Sequence, residues 1–152
     1  MKKTTRFFRL GCWTLVATAA LHMVGFFSPQ PPPADETDAK LRELAETYHW
    51  SLMGMERSLM DFLHGFSLVF AVFAAFVGVL GLLTLRRGGG RPDLLRGHAV
   101  AYLVLAAALL ALSLAYFIPP PIVSFAVATV FFGLAAGFST VEGQGEGGAA
   151  AG

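Results

Sequence analysis

Residues 62–85 read FLHGFSLVFAVFAAFVGVLGLLTL, an apolar run without a single Asp, Glu, Lys or Arg. As a helix it would be about 36 Å long, because each residue adds about 1.5 Å. The hydrocarbon core of a bilayer is about 30 Å thick, so such a helix would cross it with some tilt. The run lacks the alternation of a strand, and an open sheet could not satisfy its backbone in lipid. It therefore predicts a transmembrane helix.

Three further apolar blocks without charged residues occupy residues 10–27, 99–118 and 122–139. Across the 152 residues, 55% are hydrophobic and 14% are charged, whereas soluble domains carry about 25% charged residues. This composition excludes an ordinary water-soluble enzyme domain and a disordered chain. We predict an all-α fold, a four-helix transmembrane bundle forming one domain over residues 1–140. The single Cys12 excludes an internal disulfide.

The first block could instead be a cleaved signal peptide, since four basic residues precede it. Its apolar run, however, continues to Phe27 and reaches Pro29 without a good small-residue cleavage site, which favours a retained span. Eight of the eleven basic residues lie before the first span or between the second and third: Lys2, Lys3, Arg6, Arg9, Arg86, Arg87, Arg91 and Arg96. The positive-inside rule then places both termini in the cytoplasm of a bacterium, with the protein in the inner membrane.

The loop between the first two spans, residues 28–61, is expected on the outer side. Apolar residues recur there at helical spacing: Leu41, Leu44, Ala45, Tyr48 and Leu52. This pattern predicts an amphipathic helix over about residues 36–52, lying on the membrane surface or covering the bundle. The Gly- and Ala-rich tail, residues 141–152, is expected to be disordered.

Small residues at spacings of three or four predict the faces on which the spans pack, because close backbone approach drives helix association in lipid. The predicted stripes are Gly11, Thr14, Thr18, His22 and Gly25; Ser67, Ala71, Ala74, Gly78 and Gly81; Ala108, Ala111 and Ala115; and Ala126, Thr129, Gly133 and Gly137. The last pair forms a G-x-x-x-G pattern, which favours packing within the bundle and alternatively marks a dimer face.

Ionisable residues within spans are costly and point to function. His22 and His64 are expected at similar depth near the outer surface, with Asp61 one helical turn before His64. These three are the candidate ligands for a metal, and the two histidines for a haem; a His–Asp pair could also relay protons. A wider polar cluster would add His49, Glu56, Arg57 and Ser67. The structural interpretation is nevertheless favoured, with His22 as a hydrogen-bonding contact between helices and Arg57–Asp61 as an interfacial ion pair.

Two stretches, LHMVGFF at residues 21–27 and RSLMDFLHGFSL at 57–68, resemble a family of small four-span bacterial integral membrane proteins. The resemblance implies a membrane protein with a histidine near the outer end of its first span. It implies no activity, ligand or cofactor.

The favoured function is therefore that of a structural or accessory membrane protein. A binding or relay protein using His22, Asp61 and His64 is the alternative, and a membrane enzyme is least supported because no catalytic motif is present. Expected partners are the bilayer and either another membrane protein or a second copy of the chain. The formal net charge of +1 argues against nucleic acid. Four arginines, Arg86, Arg87, Arg91 and Arg96, are expected to set the topology or to contact anionic lipid headgroups.

Overall fold

The computed structural model describes residues 2–88 and 92–149. The elements, in chain order, are α1 (Lys2–Phe27), α2 (Glu36–Thr47), β1 (His49–Leu52), β2 (Met55–Ser58), α3 (Leu59–Gly88), α4 (Pro92–Tyr116) and α5 (Pro119–Ala149). Within the described residues, α1, α3, α4 and α5 contain four helical segments long and apolar enough to cross a membrane. The prediction of four apolar spans in a mostly helical chain is confirmed.

The helices extend beyond the apolar blocks that predicted them. Helix α1 begins at Lys2 rather than at residue 10, because Lys and Arg are good helix formers and a helix need not end where the apolar run does. Helix α5 continues to Ala149, through most of the tail for which we expected disorder. Extending an existing helix avoids the cost of nucleation. Residues 150–152 lie outside the described part of the chain.

The loop helix ends earlier than predicted, and a β-hairpin follows it. Tyr48 terminates α2 in an extended conformation, and His49–Leu52 then pairs antiparallel with Met55–Ser58. Met53 and Gly54 form the turn, with φ of 53° and 82°. Two positive φ values in a two-residue loop match the natural twist of a hairpin. The predicted helix is therefore wrong for residues 48–52, where Tyr48 and Trp50 favour a strand instead.

Helix α1 lies at the centre of the bundle. It packs against α3 on one side and α5 on the other, α4 packs against α5, and α3 and α4 make little contact. Close approach depends on small residues: a Cβ at Gly11 would meet the Phe132 ring at 2.6–2.8 Å. The core around this contact includes Phe8, Cys12 and Tyr102.

The small-residue stripes were predicted correctly for α3 and in part for α1. In α3, Ala71, Ala74, Gly78 and Gly81 are buried, whereas in α1 the buried members are Gly11 and Thr18. The stripe predicted for α4 is wrong, since all three of its alanines are exposed. Buried α4 residues are instead Leu95, Ala99, Tyr102, Ala106 and Ser113. Alanine and leucine residues of α4 occur on every side of the helix. The spacing of small residues therefore could not identify its packing face.

The face predicted for α5 is displaced by about one residue. Its fully buried residues are Phe125, Ala128, Phe132 and Ala135. Gly137 would have nothing within 4 Å of an added Cβ, and Gly133 would meet only an ordinary contact with Leu103. The G-x-x-x-G pattern therefore does not mediate close packing within the bundle, because the phenylalanines of α5 enter the core instead.

Candidate functional site

The end of the bundle that carries the hairpin gathers most of the predicted site residues. There, four aromatic rings form a continuous series, which we call the aromatic ladder: Tyr48, Trp50, Phe62 and Phe66. Neighbouring ring centroids are 6.4, 6.2 and 4.7 Å apart in that order, each pair in an edge-to-face arrangement. Such contacts are favourable beyond simple area burial. The ladder fixes the hairpin against the first two turns of α3.

Asp61, predicted as a metal ligand, caps the start of α3. Its Oδ2 accepts a hydrogen bond from the Ser58 backbone N–H at 3.0 Å, and its own N–H donates to Ser58 Oγ at 3.1 Å. This reciprocal pair satisfies two backbone donors that a helix N-terminus otherwise leaves without partners. The sequence signal for this cap is the spacing S-x-x-D at residues 58–61, which the predicted site did not include.

The two histidines of the spans lie at different depths. The His22 ring is 5.0 Å from that of Phe70, and the His64 ring is 5.2 Å from that of Phe26. Because α1 and α3 are antiparallel, these contacts place His64 level with Phe26, one turn or about 6 Å beyond His22 along α1. The expectation of similar depth is corrected. The expectation failed because it counted residues from the end of α1 and from the start of α3, and these two helix ends are not at the same depth.

Within the described residues, no group of three or more His, Cys, Asp or Glu side chains is arranged to hold a metal ion. The metal site formed by His22, Asp61 and His64 thus stays a prediction from sequence, because these side chains are not clustered in the described structure. His22 itself is notable, since its Nε2 is buried and has no hydrogen-bond partner in the described structure. The hydrogen bond that we expected His22 to make with another helix is not formed by this atom.

The remaining members of the predicted polar cluster act locally. Arg57 Nη1 donates to the Glu56 carbonyl oxygen at 2.7 Å, His49 Nδ1 lies 2.9 Å from the Thr47 carbonyl oxygen, and Ser67 is half-buried on α3. Among the ion pairs of the described residues, none joins Arg57 to Asp61. Arg57 and His49 lie near enough to Asp61 to interact with its carboxylate electrostatically, but among the described residues no hydrogen bond or ion pair joins these three groups.

A groove runs along the outer side of α3 below the hairpin. Its volume is about 260 Å³, and the residues lining it are Arg57, Asp61, Phe62, Gly65, Phe66 and Val69. The two charged residues stand at its upper end, and the lining below them is apolar. Both phenylalanines belong to the aromatic ladder. The groove is therefore an apolar surface with one cation and one anion at its mouth.

Helix α2 is tied to the proline segment before it by charged side chains. Asp35 accepts a hydrogen bond from the Asp38 N–H, and Asp38 accepts one from the Ala34 N–H at 2.9 Å. Arg42 binds Asp38 at 2.8 Å and the Pro31 carbonyl oxygen at 2.7 Å. Together the Ala34 N–H and the Arg42 guanidinium hold the pKa of Asp38 below its ordinary value. This network positions α2 relative to the end of α1.

Basic residues mark the opposite end of the bundle. Arg86, Arg87 and Arg96 are exposed there, while Arg91 lies outside the described residues. Lys3 Nζ is 5.3 Å from the centroid of the Phe138 ring, so the first turn of α1 and the end of the fourth apolar span lie together. The arginines expected to meet headgroups are thus available to a membrane surface.

No protein-family model matches the chain, and neither a curated protein nor a solved structure is found to be similar to it.

Proposed function

We propose that this chain is a structural or accessory protein of the bacterial inner membrane, with both termini in the cytoplasm. Four apolar helices support the multi-pass placement. The exposed arginines and the four basic residues of α1 occupy one end of the bundle, which by the positive-inside rule is the cytoplasmic end. The exposed Arg86, Arg87 and Arg96 would meet anionic headgroups there.

The observation that carries the accessory role is the local use of polar side chains at the other end. Asp61 caps a helix and Arg57 binds a neighbouring carbonyl oxygen. A catalytic or metal site needs such groups to converge on a reacting atom. The groups described here stabilise elements instead, leaving the apolar helix faces as the surfaces for contact with lipid, a second copy or another membrane protein.

Helix α2 would lie on the outer membrane surface as an amphipathic helix. Leu41 and Leu44 are 61% and 58% exposed and point away from the rest of the protein, next to the exposed ring of Tyr48. The adjoining side carries the Lys40–Glu36 ion pair in solvent. An apolar stripe beside a charged one suits an interfacial helix, and Tyr is enriched at that depth.

The topology can be tested by cysteine labelling. Cys12 itself is fully buried, so it leaves a quiet background for introduced cysteines. Met53, at the hairpin turn, is 94% exposed, and Arg6 is exposed at the other end. An impermeant maleimide should label Met53→Cys in intact cells and Arg6→Cys only after lysis. The reverse pattern would overturn the proposed orientation.

The accessory role can be tested on detergent-purified protein by its optical spectrum and metal content. We expect colourless, metal-free protein, with His22→Ala and His64→Ala differing from wild type in stability alone. A Soret band or a stoichiometric metal that disappears in both variants would overturn the accessory role.

The second candidate is a binding or relay function centred on His22. It is favoured by the buried Nε2 of His22, which has no hydrogen-bond partner in the described structure. A buried polar atom without a partner destabilises the fold, and natural proteins keep few such atoms, so each one calls for an explanation. Replacing His22 by Leu distinguishes the two functions. A metal or haem that is purified with the wild type and lost in His22→Leu favours the binding function, whereas a more stable variant with unchanged metal content and optical spectrum favours the accessory role.

A further inference from the structure

The groove beside α3 faces away from the other helices. The buried side of α3 carries Ala71, Ala74, Gly78 and Gly81. Phe62, Phe66 and Val69, which line the groove, are 50%, 60% and 66% exposed and project from the opposite side of the same helix. In a membrane, this groove faces the bilayer. This inference rests on the proposed membrane placement.

The mouth of the groove offers one positive and one negative group. Arg57 has five N–H donors, of which the Glu56 carbonyl oxygen takes one. The carboxylate of Asp61 uses Oδ2 for the Ser58 N–H and retains further acceptor capacity on Oδ1. The two residues form no ion pair with each other among the described side chains. The two side chains do interact electrostatically, and the remaining donors of Arg57 and acceptor positions of Asp61 can together meet a ligand that carries a phosphate and an amine.

We propose that this groove binds a phospholipid with an ethanolamine headgroup in the outer leaflet. The guanidinium of Arg57 binds the phosphate, the carboxylate of Asp61 accepts hydrogen bonds from the ammonium group, and an acyl chain lies across Gly65 towards Val69. Bidentate Arg–phosphate bonds and charge-assisted hydrogen bonds are strong recognition elements. The two ring walls, Phe62 and Phe66, hold the chain in place.

The charge pattern favours ethanolamine over the other common headgroups. An anionic glycerol headgroup brings a phosphate for Arg57 but no cation for Asp61, which would repel it. A choline headgroup is zwitterionic but its trimethylated nitrogen has no N–H to donate. Ethanolamine satisfies both residues, so the groove should distinguish these three lipids.

Gly65 keeps the groove open, and this provides a clean test. A Cβ built at Gly65 meets nothing within 4 Å, so a larger side chain there fits the fold while filling the groove. Gly97, near the start of α4 at the opposite end of the bundle, has equally open surroundings. Gly65→Leu and Gly97→Leu are therefore matched variants, one within the proposed site and one remote from it.

The experiment is native mass spectrometry of the full chain in detergent with equal amounts of phosphatidylethanolamine, phosphatidylglycerol and phosphatidylcholine. Wild type and Gly97→Leu should retain phosphatidylethanolamine preferentially. Gly65→Leu and Arg57→Gln should each retain about tenfold less phosphatidylethanolamine than wild type. This is the effect expected when one charge-assisted hydrogen bond, or the apolar contact with the acyl chain, is lost. Asp61→Asn should bind without preferring ethanolamine over choline.

Equal retention by Gly65→Leu and Gly97→Leu would overturn the groove as the site, and preference for phosphatidylglycerol would overturn the headgroup assignment. Failure of the underlying membrane placement is a separate result, because the protein would then be recovered without detergent.

Discussion

The hydroxyl of Tyr102 in α4 donates a hydrogen bond to the carbonyl oxygen of Val77 in α3, over 2.9 Å. These two helices otherwise make little contact, so the bond links a sparsely packed pair of helices. The same ring packs against Phe8 and Phe132, with centroids 5.1 Å from each. Tyr102 therefore links α3 and α4, which are consecutive in the chain but make few direct contacts.

Replacing Tyr102 by Phe should retain the ring contacts and lose this bond. Hydrogen bonds between membrane helices contribute about 0.6 kcal/mol on average and at most about 1.7 kcal/mol, so we expect a loss of that size in the free energy of unfolding. The measurement is denaturant unfolding in detergent. Tyr116→Phe on the same helix is the control, because Tyr116 is 79% exposed. Equal stability of the two variants would show that the bond contributes nothing.

Gly78→Ala should separate α1 from α3. Its Cβ would lie 2.7 Å from Val16 Cγ2 and 2.8 Å from the Cys12 carbonyl oxygen, and the backbone atom cannot move aside alone. Overpacking of this kind costs about 1–3 kcal/mol. Gly65→Ala on the same helix is the comparison, since it gains the same helix propensity without a clash. Unfolding measurements should rank Gly78→Ala below Gly65→Ala, and the opposite order would contradict the described α1–α3 packing.

Removing the cap at the start of α3 should loosen its first turn. Ser58→Ala abolishes the bond from the Asp61 N–H, and the loss of an N-cap residue costs about 1 kcal/mol. Hydrogen exchange at the Asp61 amide should accelerate, while exchange in the middle of α3 should not change. Ser51→Ala, at an exposed position of the hairpin, serves as the control. Unchanged protection of the Asp61 amide would argue against the capping box.

The attachment of α2 should depend on pH through Asp38. Its pKa is lowered in the folded protein, chiefly by the Ala34 N–H and also by Arg42. The stabilisation is therefore complete above the ordinary value of 3.8 and is lost as the pH falls below it, through the lowered pKa. Carboxyl NMR titration should show Asp38 ionising below that value, and Arg42→Gln should raise its pKa towards it. Lys40→Gln, which removes a different ion pair of α2, should leave the Asp38 titration unchanged.

The four long apolar helices could be predicted from sequence because the absence of charged residues is a property of each segment separately. Residues 62–85 needed no partner to be recognised as a span, and α3 contains all of them. The packing face of α4 could not be predicted, because the exposed Ala107 and Ala108 are as small as the buried Ala106. Which side of such a helix is covered depends on the position of the other helices.

The site was less predictable, for two physical reasons. Depth in the membrane was estimated from helix ends, so the offset between His22 and His64 appeared only when their ring contacts with Phe70 and Phe26 were known. The hairpin was hidden because Met53-Gly54 reads equally as a helix break and as a turn. The spacing of Ser58 and Asp61, by contrast, was visible in the sequence and predicts the cap by itself.

The central position of α1 has a consequence for biogenesis. Phe8 lies in the first of the four apolar helices, yet its ring partner Phe132 lies in the fourth, with the two ring centroids 5.6 Å apart. Until α5 enters the membrane, the buried side of α1 is only half covered, by α3. The core therefore closes only after the fourth apolar helix has been made and inserted, and a chain truncated before that helix presents an open core to proteases of the membrane.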